Sequence, residues 1–102
     1  MTDQTVSTAT EGGRLIRDLV IVNRKGLHAR ATAKFVQCCE AYEAEITVSK
    51  CGDTVGGSSI MGILTLGAAQ GSTITVTAAG PQASQAIEAL AALVGNRFGE
   101  EE

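Results

Sequence analysis

A chain of 102 residues, 44% apolar, with 8 basic and 11 acidic side chains, has room for one hydrophobic core and no second domain. The apolar share is far too high for a disordered chain. A net charge of −3 with only three aromatic residues argues against a nucleic-acid-binding surface. No apolar run approaches the roughly 20 residues that cross a bilayer, and no basic start leads into the apolar stretch of a signal peptide, so the expected compartment is the cytoplasm.

Charge is unevenly distributed. From Arg14 to Lys34 six basic side chains face one acid, Asp18, and the rest of the chain holds two basic against ten acidic residues. From Thr54 to Ile87 there is no charged side chain at all. Such a stretch must be buried or must offer a neutral surface to a partner.

Residues 1–13 are polar, Thr-rich and closed by Gly12-Gly13, which reads as a mobile leader. Leu15 to Val22 is rich in β-branched residues and reads as a strand with Leu19 and Ile21 inward. Asn23 to Gly26 is a loop. Ala29 to Cys39, with Ala29, Ala33 and Val36 at helical spacing and Leu27 just ahead, predicts an amphipathic helix opening immediately after His28.

Ala44 to Ser49 alternates as a half-buried strand. Lys50 to Asp53 reads as a hairpin turn into a short strand near Thr54 and Val55. Ser58 or Ser59 can cap a short helix from Ile60 to about Thr65, stopped by Gly67. Thr73 to Ala78 is a strand with Thr outward and Ile74, Val76 and Ala78 inward. Ala83, Ala86, Ile87, Leu90, Leu93 and Val94 then trace one helical stripe to about Gly95, and residues 99–102 form an acidic tail. The order β-α-β-β-α-β-α predicts an α+β fold, a two-layer open-faced sandwich with a four-stranded antiparallel sheet and three helices on one face.

The three cysteines, Cys38, Cys39 and Cys51, are odd in number and two are adjacent. They suit neither a disulfide framework nor a metal site, and read as small thiols in a reducing compartment. His28 is the single histidine. Such a residue is more often structural than functional, but its placement points to chemistry. Gly26 permits close chain approach, and the helix opening at Ala29 leaves its first backbone amides pointing back toward His28, where they favour an anion. Arg30 is within reach of the same spot and can grip a phosphate through paired hydrogen bonds. No acidic residue is close in sequence to orient the ring. This combination suits holding a phosphoryl group better than acid–base turnover.

Gly26-Leu27-His28-Ala29-Arg30, followed by Ala33-Lys34-Phe35-Val36, resembles the active-site signature of the histidine-containing phosphocarrier family, HPr, of the bacterial phosphotransferase system. Ser59-Ile60-Met61-Gly62-Ile63-Leu64-Thr65-Leu66-Gly67 resembles that family's regulatory serine and the short helix after it. The separation of the two motifs and the element order match as well, over roughly residues 15–97. The resemblance implies an HPr domain over 14–98. Ala31 departs from it, standing where many members carry proline, and so does Lys25, where a small or polar residue is common.

What the resemblance implies is a carrier, not an enzyme with turnover. Enzyme I, charged by phosphoenolpyruvate, would place a phosphoryl group on Nδ1 of His28, and His28 would pass it to enzyme IIA in the sugar-uptake or nitrogen-type regulatory branch. Arg30 and the backbone amides of Ala29 and Arg30 would hold the phosphate, without metal or cofactor. Ser59 would be the target of an HPr kinase/phosphorylase, a role compatible with capping the helix. If Ile63 and Leu66 pack inward, Ile60, Met61 and Leu64 face out as an apolar docking patch rimmed by Arg30 and Lys34. A protein that shows one face to successive partners is expected as a monomer, with no nucleic-acid or membrane partner. The alternative reading is an HPr-like regulatory binding module controlled by phosphorylation at Ser59 or His28. A metal or redox module built on Cys38, Cys39 and His28 is disfavoured by their spacing.

Overall fold

Gly12 and Gly13 carry positive φ angles of 58° and 81°, the geometry of the tight turns that match the twist of a β-hairpin. They join β1 (Ala9–Glu11) to β2 (Arg14–Val20), with Glu11 opposite Arg14 and Ala9 opposite Ile16. The computed structural model describes residues 8–101. The expected polar leader therefore has a structured end: its residues 1–7 lie outside the described residues, but 9–11 pair with β2. The sheet has five strands, where four are expected from sequence. The short exposed segment shows no apolar alternation, so only its turn glycines signal a strand.

The remaining elements follow the expected order: α1 (Ala29–Glu40), β3 (Glu45–Lys50), β4 (Asp53–Gly56), α2 (Ile60–Thr65), β5 (Thr73–Ala79) and α3 (Ala83–Gly95), ending in a tight turn at Arg97–Gly99. The antiparallel sheet runs β1-β2-β5-β3-β4. Leu19 and Ile21, Ile46 and Val48, and Ile74, Val76 and Ala78 are buried beneath the helices. The other face is largely hydroxylated. There Thr75 donates to the carboxylate of Asp18 opposite it at 2.7 Å, and the Thr47 and Thr77 hydroxyls pair.

The helices supply the rest of the core. α3 buries Ala83, Ala86, Ile87, Leu90 and Val94, with Leu93 packed at its margin. The buried face of α1 is Ala31, Thr32, Phe35, Val36 and Cys39, and Ala29 is exposed. The stripe is thus rotated from the expected Ala29–Ala33–Val36 line. Phe35 removes far more apolar area from water than an alanine does, and Thr32 enters with it by donating to the Leu27 carbonyl at 3.2 Å. Among the described residues no helix is long and apolar enough to cross a membrane.

Candidate functional site

The loop ahead of α1 is held by the chain behind it. Gly26 has φ +67°, and a Cβ there would meet the Ala68 carbonyl oxygen at 2.5 Å, so only glycine fits this crossing. Leu27 N–H donates to that same carbonyl at 2.9 Å. The next residue, His28, is the N-cap of α1 in an extended conformation, and its side chain makes no capping bond. The helix therefore begins immediately after the histidine, as expected, and the ring does not take up the first-turn amides that an anion would use.

The His28 side chain is 27% exposed and borders an open basin of about 800 Å³. Arg24, Lys25, Arg30 and Lys34 line the basin, together with Ala29 and the C-terminal residues Gly99, Glu100 and Glu101. Four cationic side chains against two carboxylates leave a cavity that favours an anion. His28, Ala29, Arg30 and Lys34, all singled out from sequence, thus share one cavity.

The acidic tail supplies what the sequence pattern lacks. Glu100, 72 residues from His28, hydrogen-bonds the ring Nε2 through Oε2. Its other oxygen accepts from Asn23 Nδ2 at 3.0 Å, and Asn23 Nδ2 also donates to the Gly26 carbonyl at 2.9 Å. Asn23 is fully buried. Its amide orientation is set by these two acceptors, since the opposite flip would turn an oxygen toward both. The Asn23 amide, followed by the His28 ring, holds the Glu100 carboxyl below the ordinary glutamate range; the Lys25 charge acts the same way and partial burial opposes them. Lys34, expected on a docking rim, turns its ammonium to the Phe98 carbonyl at 2.7 Å. Asn23, Phe98 and Glu100 are the parts missed from sequence. The available signal was a single Phe two residues ahead of an acidic run in a chain with only two phenylalanines.

The second motif lies on α2, which packs against α1. Ser59, not Ser58, is the N-cap, accepting from Gly62 N–H at 3.0 Å. Ile63 and Leu66 are buried, Leu64 is half-buried, and Ile60 and Met61 are 44% and 71% exposed. None of these lines the His28 basin. The cysteines lie apart from it too. Cys38 and Cys39 sit in the last turn of α1, about 15 Å along the helix from its start. Burial, with Cys38 and Glu40 nearby, pushes the Cys39 thiol up to about 12, the behaviour of an inert core thiol. Cys51 is exposed in the β3–β4 turn.

Residues 16–96 match the family model described as "PTS HPr component phosphorylation site". The chain belongs to the HPr phosphocarrier family. The phosphocarrier protein HPr of Cupriavidus necator is 46% identical over 88 residues, which span 86% of this chain and 99% of that protein. A crystal structure of HPr-C-His from Thermoanaerobacter tengcongensis is similar at a TM-score of 0.82 and 40% identity, over 85% of this chain and 98% of that one. The HPr of Bacillus anthracis gives 0.78 and 41%, over 81% and 99%. An open-faced α+β sandwich with three helices is thus the fold of the HPr family, and carriage of a phosphoryl group in the phosphotransferase system is its activity. His28, Arg30 and Ser59 fall inside the matched region; Glu100 lies beyond it.

Proposed function

We propose that His28 accepts a phosphoryl group on Nδ1 from phosphorylated enzyme I, charged by phosphoenolpyruvate, and passes it to a histidine of enzyme IIA. The observation that carries this reading is the setting of one imidazole: partly exposed at the start of α1, making no capping bond, in a basin with four cationic side chains. In the first transfer the nitrogen–phosphorus bond on enzyme I breaks with its electron pair returning to that nitrogen, while the Nδ1 lone pair forms the new bond. In the second, the Nδ1–phosphorus bond breaks with its pair returning to Nδ1, while the enzyme IIA nitrogen forms the new one. Such a loose transition state asks the site for position and charge stabilisation. Arg30 supplies a guanidinium fork, and the amides of Ala29 and Arg30 supply donors on the helix axis. The reading needs neither metal nor bound cofactor, and the protein acts as a carrier, not a turnover catalyst.

Docking follows the same geometry. Ile60, Met61 and Leu64 form the apolar patch that enzyme I and enzyme IIA cover in turn, with Arg30 and Lys34 as the basic rim. Ser59 is the regulatory acceptor for an HPr kinase/phosphorylase, whose doubly charged product beside this patch would weaken docking. The carrier domain is 14–98, and it works as a cytoplasmic monomer on protein partners, without nucleic acid or membrane.

Incubation with phosphoenolpyruvate, Mg²⁺ and enzyme I tests the reading. Acid-labile, alkali-stable phosphate on the wild type and none on His28→Ala is the expected result; label that survives His28→Ala overturns it.

A further inference from the structure

We infer that Glu100 is a positioning residue for phosphoryl transfer: its carboxylate holds the Nε2–H of His28, presents Nδ1 as the nucleophilic lone pair, and stabilises the positive charge that develops on the ring as the Nδ1–phosphorus bond forms. This deepens the carrier reading and rests on it.

The argument begins with donors and acceptors. An ionised carboxylate only accepts hydrogen bonds, and a neutral imidazole carries one N–H and one lone pair. Glu100 Oε2 faces Nε2, so in the neutral ring the proton sits on Nε2 and Nδ1 carries the lone pair. The other carboxylate oxygen is occupied by Asn23 Nδ2, which keeps the group ionised and fixes its plane. A carboxylate that locks a ring through the distal nitrogen also sets which nitrogen reacts.

The second observation is the effort made to bring Glu100 there. Arg97 and Phe98 both have left-handed backbones, with φ of 57° and 55°, a conformation that non-glycine residues adopt only when their surroundings impose it. Three contacts impose it. The Phe98 ring is buried in the core, Lys34 Nζ binds the Phe98 carbonyl, and Glu100 N–H donates to the Arg97 carbonyl at 2.9 Å. Strain at two consecutive residues, one glycine ahead of the acid that meets the His28 ring, is the arrangement of a site, not of a trailing end.

The transfer step balances without proton movement. The phosphorylated nitrogen of enzyme I loses its bond to phosphorus and keeps the electron pair; Nδ1 donates its lone pair to phosphorus. The ring becomes cationic with its proton still on Nε2, and the hydrogen bond to Glu100 strengthens as that charge appears. On transfer to the next acceptor the changes reverse. Glu100 approaches Nε2 and not Nδ1, so it does not compete with the phosphoryl group for its nitrogen.

The test uses the full chain labelled with ¹⁵N. At neutral pH the wild-type ring should give the Nε2–H pattern, and Glu100→Ala should give a mixture of the two tautomers. Glu100→Gln has one acceptor oxygen where the carboxylate has two, so its NH2 must face either the Asn23 amide or the ring, and it too should lose the pure Nε2–H pattern. The initial rate of phosphoryl acceptance from phosphorylated enzyme I should fall on the order of tenfold in Glu100→Ala, the effect of losing one charge-assisted hydrogen bond, and comparably in Glu100→Gln, which loses the same charge. A wild-type tautomer pattern or a wild-type rate in Glu100→Ala overturns the inference and leaves the carrier reading standing. A wild-type protein that takes no phosphate on His28 overturns the carrier reading itself.

Discussion

The Lys34 ammonium donates to the Phe98 carbonyl at 2.7 Å, tying the first half of α1 to the turn that delivers Glu100. With Phe98 buried on one side and Lys34 engaged on the other, the last described residues are clamped to the body of the fold. Lys34→Ala should therefore loosen this turn by about 1 kcal/mol, the scale of one partly exposed hydrogen bond to a charged group. Faster hydrogen exchange at the Glu100 amide, which pairs with Arg97, with little change in the amides of β5, is the expected signature. Unaltered exchange at Glu100 would mean the clamp is idle.

The tail should also respond to acid. Asn23 first, then His28 and Lys25, hold the Glu100 carboxyl below the usual glutamate value. A depressed carboxyl contributes its stabilisation fully above the ordinary value of about 4.3 and loses it as pH falls through the lower folded value. Carbon-13 titration of the Glu100 carboxyl should show the depressed midpoint in the wild type and a return toward the ordinary value in Asn23→Ala. An ordinary midpoint in the wild type would contradict the bridge.

Where the sequence pattern was read correctly, the signal was local. Ile74, Val76 and Ala78 alternate with threonines in β5, Ser59 stands one residue before α2, and the α1 helix starts at the residue after His28; each needs only a few neighbours to be recognised. The missed features depend on distant partners. Ala29 and Ala31 are equally good helix formers, and only the space beneath Phe35 decides which of them faces inward. Ala9–Glu11 becomes a strand because β2 offers an edge. Glu100 reaches His28 through a strained turn that local propensity disfavours, so the acidic run at 99–102 looks like a solvated tail until the core claims Phe98.

The two faces of α2 should separate cleanly under mutation. Met61 is mostly exposed, so Met61→Glu should leave thermal stability nearly unchanged and weaken enzyme I binding by about 1–3 kcal/mol. Ile63 is fully buried, and Ile63→Ala should cost about 2–5 kcal/mol of folding stability. Thermal unfolding and titration calorimetry on both variants check this. Undiminished affinity in Met61→Glu would remove the patch from the docking surface.

Ser59 has a structural role that any regulatory one is added to. Its hydroxyl accepts from Gly62 N–H, so Ser59→Ala should destabilise the protein by about 1 kcal/mol in urea unfolding, whereas Ser58→Ala should not. Equal effects from the two would mean the cap is shared.

The most direct test of the account is the nitrogen-15 and phosphorus-31 spectrum of the phosphorylated chain. Phosphorus coupled to Nδ1 of His28, with the proton retained on Nε2, is the result the geometry predicts. Phosphorus on Nε2, the nitrogen that Glu100 holds, or on any residue other than His28, would contradict it.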